Sequence, residues 1–411
     1  MKTLLIGGDI TLAAELLREG GLVAVPTETV YGLAGNGLDA SVIERIYEVK
    51  GRPAVKPISL MVANSDAIAD LCETVPQAAR DLAERFWPGP LTLVLKAKVH
   101  IPEILRAGGE TVGLRCPRQQ QTLQLLQELS FPLAVPSANP SGLPSPKTAG
   151  EVLRYFDGAI EGVIDGGPCE LGLESTVLDL SRTPYRILRQ GSLPAEEITD
   201  ALVEAMQIVG ITGGSGSGKT TVLQEMEKRG ALIIDADAVY HEMLETDAFL
   251  LSDLREAFPS AVKETGVDRT VLGGIVFRDP EALKCLNNVT HSHISREIRN
   301  RLRAWAMQGG TLAAIDAIAL HSSGASSLCD WTLAVTAPGE TRIRRIMERD
   351  GITREAAVRR ISAQLPNEAF EQLCDATLSN DGDLAALQGQ LNDILEELWN
   401  HGRKHERKPV L

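Results

Sequence analysis

The sequence predicts an α/β protein built as two successive domains, and three observations carry that expectation. Residues 213–220 fit G-x-x-x-x-G-K-[ST], the phosphate-binding loop, between an apolar run at 208–211 and a helical stretch at 222–227. The chain ahead of that loop alternates amphipathic helical stretches with short apolar runs ending in Ser, Thr, Asn and Arg. That is how α/β sheets display ligand-binding groups. The length of 411 residues suits two or three domains with substantial cores.

Composition sets the outer limits. Apolar residues make up 44% and charged residues 23% of the chain, as in ordinary globular proteins. No apolar run approaches the ~20 residues that cross a bilayer. An acid as early as Asp9 speaks against a secretory leader. The cysteines, at 72, 116, 169, 285, 329 and 374, form no C-x-x-C pair, so neither zinc nor a disulfide framework is expected, and a reducing cytoplasm is. A formal charge of −14 opposes stable direct binding of nucleic acid through a basic surface, yet leaves room for nucleotides gripped by local loops. The basic stretch 403–408 reads as a solvated end.

In the first half, residues 11–18 read as an amphipathic helix with Leu12, Leu16 and Leu17 on one face, followed by a buried strand at 21–26 that runs into Thr27 and its polar neighbours. A helix at 41–49 leads to Lys50, Arg52 and Lys56, three cations among a glycine and two prolines. Such a stiff segment reads as an anion clamp, with a decorated surface as the alternative. Strands follow after 86–92, at 112–117 with Arg115 at its end, and at 133–136 ahead of Ser137 and Asn139. The last two runs hold Ser175 and Arg189. These residues include neither a Ser/His/Asp set nor clustered metal ligands, so positioning and charge neutralisation on phosphates are expected rather than covalent catalysis.

Residues 194–206, with an early Pro and acids in the first turn, read as a helix, and the loop-bearing strand starts near Gln207. In the loop, glycines let successive N–H groups face phosphate oxygens, and the helix N-terminus adds partial positive charge. Lys219 can reach terminal phosphates, and the Thr220 hydroxyl can ligate Mg²⁺. Residues 231–237 read as a second buried strand ending in two carboxylates. An Asp there can orient Mg²⁺ or accept a hydroxyl proton, or else cap the next helix, which suits Asp235 better than Asp237. The helical stretch 283–303 carries His291 and His293 on different faces, so a shared metal is not expected. Strands at 312–318 and 332–336 precede a cationic helical segment with Arg342, Arg344, Arg345, Arg349, Arg354, Arg359 and Arg360. This is partly a solvated face and partly a candidate lid over ATP.

Residues 26–33, 50–52, 86–92, 136–139, 175–176 and 188–191, in that order, resemble the YrdC family of L-threonylcarbamoyladenylate synthases. The resemblance implies a twisted α/β domain over 1–196 with a positively charged cavity. There ATP, L-threonine and bicarbonate become threonylcarbamoyl-AMP and pyrophosphate, a product handed to the proteins that make t6A in tRNA. It implies that Lys50 and Arg52 grip the triphosphate, that Ser137, Asn139 and Arg189 face the nucleotide, and that Thr27, Arg115 and Ser175 seat threonine and the carbamate.

Residues 212–221, 234–237, 268–272, 276–280, 286–291, 349–351, 360–364 and 379–380 resemble dephospho-CoA kinase. Over 207–411, joined by a connecting helix at 197–206, this implies a P-loop kinase domain with a parallel sheet, helices on both faces and a helical lid. Gly216, Ser217, Gly218, Lys219, Thr220 and Thr221 would cradle ATP, with Mg²⁺ on Thr220. Asp237 would be the base toward dephospho-CoA, Arg349 part of the lid, and Asn380 part of the adenine pocket. The pattern departs from the family at Ser292, where a Pro is usual, and over 316–322, where an apolar segment ending in Glu is usual. The expectation is a bifunctional cytoplasmic enzyme. The alternative is an active synthase whose kinase-like domain regulates or takes a different acceptor.

Overall fold

The computed structural model describes residues 2–263 and 266–400, and the basic stretch at 403–408 lies outside the described residues. The chain divides into two units. The first holds the residues up to Ala205 together with Met307–Gly309, and the second holds Met206–Ala306 and the residues from Gly310 on. The segment 197–206, expected as a connector, is the body of a helix, Ala195–Ala205, that packs on the first unit. Its buried residues Ile198, Ala201 and Leu202 recur at helical spacing, and Glu204 pairs with Arg85 at 2.6 Å. The helix thus goes with the first unit, and the second begins at Met206.

The described strands of the first unit are β1 (Leu4–Ile6), β2 (Val23–Val25), β3 (Gly32–Asn36), β4 (Leu60–Met61), β5 (Leu91–Lys96), β6 (Thr111–Arg115), β7 (Leu133–Ala134), β8 (Gly162–Ile164), β9 (Thr176–Asp179) and β10 (Arg186–Arg189). They form one mixed sheet in the order β1-β8-β2-β3-β7-β4-β6-β5-β9-β10. The helix Ile10–Arg18 starts at Asp9, whose carboxylate accepts the Leu12 N–H at 3.0 Å. It buries Ala13, Ala14 and Leu17 with Leu125 and Leu126 of the helix Gln120–Glu128 over β2 and β3. Each fully buried leucine among them contributes roughly 1.5–3 kcal/mol. Leu125→Ala would cost about 2–5 kcal/mol by opening a cavity there. Between β2 and β3 the chain turns back so that Val25 opposes Gly32. A β-carbon at Gly32 would stand 2.3 Å from Val135 Cγ1, so only glycine lets this strand approach the 135–137 segment.

In the second unit, β11 (Gln207–Thr212) and β12 (Leu232–Asp235) are followed by a separate antiparallel hairpin of β13 (Val262–Lys263) and β14 (Gly266–Val267), and then by β15 (Leu312–Asp316), β16 (Trp331–Thr336) and β17 (Ala376–Ser379). The main sheet is parallel throughout, in the order β12-β15-β11-β16-β17. Parallel crossovers are right-handed. The step from β11 to β12 runs toward one edge, and every later step runs toward the other. The helix Lys219–Lys228 and the helices of the later crossovers therefore cover opposite faces. The helix Leu384–Asn400 returns to the first face. Its Leu387, Leu391 and Leu395, spaced by four, pack with Val222, Leu223 and Met226 on Val209 and Ile211.

Three local readings change. The strand expected over 231–237 stops at Asp235, because Asp235 caps the helix Ala236–Thr246 by accepting the Ala238 N–H at 3.0 Å. Asp237 thus stands in that helix's first turn. The helix expected over 283–303 runs Pro280–Met307. The cationic segment is two helices, Gly339–Asp350 and Arg354–Ser362, the first ending at Gly351 with φ 64°, and a third helix, Asn367–Leu373, follows it. No helix of the described residues is long and apolar enough to cross a membrane.

Candidate functional sites

The sheet of the first unit is open beside β3, β4, β5, β6, β9, β10 and the segment after β7, leaving a cavity of about 340 Å³. Arg52, Arg115 and Arg189 line it, with the hydroxyls of Thr29, Ser59, Thr92, Ser137 and Ser175. Among the described lining residues Glu174 is the single acid. The clamp segment is shaped by its own carbonyls. Arg52 Nε donates to Lys56 O at 3.0 Å and Nη2 to Pro57 O at 2.8 Å, and burial lowers the Arg52 pKa. Lys50 is 3% exposed, the last residue of the helix Ala40–Lys50, and donates Nζ to the carbonyls of Ser137 and Asn139. Burial, with repulsion from Arg52, pulls the Lys50 pKa down to about 7. Lys50 therefore ties the 137–141 loop to the clamp, while Arg52 is the residue of the pair that lines the cavity.

The other expected residues divide in the same way. Ser175 Oγ lies 2.9 Å from Thr92 Oγ1 and accepts from Arg189 Nη2 at 3.1 Å. Arg189 also pairs with Glu174, whose second oxygen accepts from Ser145 Oγ at 3.0 Å. Asn139 is buried and donates Nδ2 to Leu143 O at 2.6 Å, leaving its Oδ1 without a partner. Thr27 stands outside the cavity lining. Its hydroxyl donates to Val30 O at 2.6 Å and accepts the N–H of Thr29 and Val30, so it shapes the β2–β3 turn. Sequence reasoning did not single out Thr29, Ser59, Thr92, Glu28 or Glu174. Glu28 and Glu174 lay inside motifs already noted, but nothing in the sequence marks which arginine each would meet.

In the second unit the phosphate loop leaves β11 with Gly213, Gly216 and Gly218 at φ 146°, 78° and 96°. Gly218 caps the helix that begins at Lys219, so Thr220 and Thr221 occupy its first turn. Lys219 Nζ donates back to Gly213 O at 2.8 Å, and burial lowers its pKa against the pull of Asp316 and Asp237. Asp316, at the end of β15, is raised to about 6, mainly by burial, and its Oδ1 has no hydrogen-bond partner. Asp237 is raised as well, by burial and by Asp235.

The loop is buttressed from the cationic segment. Arg342, 3% exposed, donates Nε to Ser215 O at 2.9 Å, and Arg345 reaches Ser217 O at 3.3 Å. Gln364 accepts the Ser215 N–H at 2.8 Å, and Asn380 donates to Ser217 O at 2.9 Å. Arg349 instead forms a forked pair with its neighbour Asp350 on the surface. Arg342, Arg345, Gln364 and Asp316 were legible only as members of a charged run or a motif. Beside Asp237 lies a recess of about 190 Å³ lined by Tyr240, Asn287, Thr290, His291, Ser295 and several alanines, into which a hydroxyl-bearing acceptor could reach.

Fold and sites together define a two-unit α/β protein, one unit with a cation- and hydroxyl-lined cavity, the other with a P-loop. Residues 15–191 match the family described as Telomere recombination (Sua5, YciO, YrdC), and residues 207–386 match the Dephospho-CoA kinase family. Threonylcarbamoyl-AMP synthase of Pyrococcus abyssi is 47% identical over 195 residues, covering 47% of this chain but only 57% of that relative, so the chain spans little more than half its length. A putative threonylcarbamoyl-AMP synthase of Mycobacterium tuberculosis is 34% identical over 49% of this chain and 93% of its own. Dephospho-CoA kinase of Corynebacterium glutamicum is 35% identical over 46% of this chain and 98% of its own. The chain belongs to both families, its first unit to Sua5/YrdC and its second to dephospho-CoA kinase.

Proposed function

We propose that the chain is a bifunctional cytoplasmic enzyme: the first unit makes L-threonylcarbamoyl-AMP and pyrophosphate from ATP, L-threonine and bicarbonate, and the second phosphorylates the 3′-hydroxyl of dephospho-CoA with ATP. The observation that carries this reading is a pair of chemically different phosphate-holding arrangements in one chain, strand-end arginines with hydroxyls in one unit and a curled glycine backbone in the other. The relatives' names support a threonylcarbamoyl adenylate as product of the first unit and dephospho-CoA as acceptor of the second.

In the first unit, threonine nitrogen attacks the bicarbonate carbon, water leaves to give a carbamate, and the carbamate oxygen displaces pyrophosphate from the α-phosphorus of ATP. Arg52 and Arg189 offset charge on the phosphates, with Ser137 and Asn139 near the nucleotide and Lys50 holding their loop. Arg115 and Ser175 face the amino acid, and Thr27 keeps the neighbouring turn in shape. This is chemistry by positioning and electrostatics. The product passes to tRNA-modifying proteins for t6A, without stable nucleic-acid binding by this chain.

In the second unit the N–H groups of 216–221 and Lys219 hold the phosphates. Asp237, its pKa raised, takes the acceptor hydroxyl proton. Arg349 can exchange Asp350 for phosphate, and Asn380 fixes the loop next to the adenine side. The donors around the loop fit magnesium. Thr220 offers a hydroxyl, and the buried, unpartnered Asp316 Oδ1 offers a second hard oxygen. Among the described residues no group of three or more His, Cys, Asp and Glu side chains could hold a metal, so Mg²⁺ would arrive with the nucleotide and neutralise its phosphates. The recess beside Asp237 favours catalysis on an acceptor over a purely regulatory ATP-binding role.

Mass spectrometry of products from ATP, threonine, bicarbonate and dephospho-CoA in one pot tests the reading. Threonylcarbamoyl-AMP and CoA should both appear, and Lys219→Ala should remove only CoA. A missing product sinks the corresponding half.

A further inference from the structure

We propose that Glu28 is a positioning residue of the first unit's cavity, acting through Arg115 on the amino-acid substrate; this rests on the synthase reading above. Glu28 is 4% exposed and lies outside the cavity lining, whereas Arg115, 6% exposed, lines the cavity. One Glu28 oxygen accepts from Arg115 Nη2 at 2.8 Å, and the other accepts the Arg118 backbone N–H at 3.0 Å. Arg115 Nε donates to Gly89 O at 3.2 Å. Among the described residues the Nη1 hydrogens of Arg115 then have no partner.

Two consequences follow from guanidinium geometry. A planar fork pinned along its Nε and Nη2 side has little freedom left, so its Nη1 donors are held in one direction before substrate arrives. Nη1 is not one of the buried atoms left without a partner, so its hydrogens meet solvent in the cavity, and an anion entering there replaces that water with a charge-assisted bond. Charge then decides which anion. Arg115 is compensated by Glu28 in a buried pair, so it offers direction more than net charge. Arg52 donates to two backbone carbonyls and, among the described residues, sits in no direct ion pair, with the Tyr47 hydroxyl and the Glu174 carboxylate nearby, so its charge is less fully compensated. A singly charged carboxylate suits the compensated fork, and a polyphosphate suits Arg52. Glu28 also joins two segments, because it bonds the chain after β6 and its own carbonyl accepts the Leu171 N–H at 2.8 Å.

The test uses the full chain and pyrophosphate release. Glu28→Gln keeps size and one acceptor oxygen while removing charge. It should raise the KM for threonine about tenfold, equivalent to about 1.4 kcal/mol, while leaving the KM for ATP nearly unchanged; breaking the buried pair also lowers the melting temperature. In the Arg115→Gln background, Glu28→Gln should add almost nothing, because the pair acts as one unit. If Glu28→Gln does not fold, Glu28→Asp, which keeps the charge but withdraws it by one methylene, is read out in the same way. An unchanged threonine KM, equal rises in both KM values, or losses that multiply in the double variant overturn the inference alone. A wild-type chain that releases no pyrophosphate with threonine and bicarbonate overturns the synthase reading and the inference with it.

Discussion

Replacing Gly218 with alanine should disable the second unit's phosphate loop through one identifiable contact. Gly218 sits at φ 96° as the cap of the helix Lys219–Lys228, and a β-carbon there would stand 1.9 Å from Asn380 Nδ2. That amide holds Ser217 O at 2.9 Å, so the new methyl and the loop's own brace compete for one space. Left-handed backbone costs a non-glycine residue about 1–2 kcal/mol, and losing the brace about 0.5–1.5 kcal/mol. The total of roughly 1.5–3.5 kcal/mol lowers melting of a unit this size by about 3–14 °C. ATP affinity should fall at least about tenfold, because the N–H groups that face phosphate no longer share one direction. Scanning calorimetry of the full chain and ATP titration read both effects. Asn380→Ala alone should cost about 1 kcal/mol, and added to Gly218→Ala it should cost less than the sum, since it clears the clash. A Gly218→Ala protein that melts within about 1 °C of wild type and binds ATP equally well would refute the reasoning.

Arg52→Ala should raise the first unit's KM for ATP by about tenfold or more, measured by pyrophosphate release, while phosphorylation of dephospho-CoA by the same sample continues. Asp237→Asn should lower kcat for that phosphorylation by about 10²–10⁴ with ATP binding unchanged, because only proton transfer is lost. Asp316 predicts a pH dependence for the nucleotide-free protein. Its folded pKa is raised from 3.8 to about 6, so the folded state holds the extra proton across that window, and stability declines as pH rises through it and levels off above. Asp316→Asn should flatten that slope in melting curves taken from pH 4 to 7 and leave the second unit more stable near neutrality. An unchanged slope would show that the carboxyl titrates normally.

Much of the fold was legible because it is local. The phosphate loop needs glycines at spaced positions with a strand before and a helix after, and all three signals lie within about twenty residues of one another. The helix over 194–206 was legible from its early proline and first-turn acids, and its buried face at 198, 201 and 202 follows helical spacing. The helix Leu384–Asn400 was not read, although its leucines at 387, 391 and 395 are spaced by four. The end of the strand at Asp235 was misplaced because an apolar run does not reveal where a carboxylate will turn to cap the next helix.

For the sites, the sequence by itself determined which chemistry was available: two sets of candidate phosphate-holding groups, one in scattered cations and hydroxyls, the other in a continuous glycine loop. Only the tertiary structure decided which member of each set does what. Lys50 and Arg52 are two residues apart, yet one is buried on the carbonyls of a loop far along the chain and the other lines the cavity. Glu28 meets Arg115, and Gln364 meets Ser215, across separations of 87 and 149 residues. The reason is physical. Helix and loop propensities act between near neighbours, whereas burial and the pairing of charges depend on which strands the sheet brings side by side.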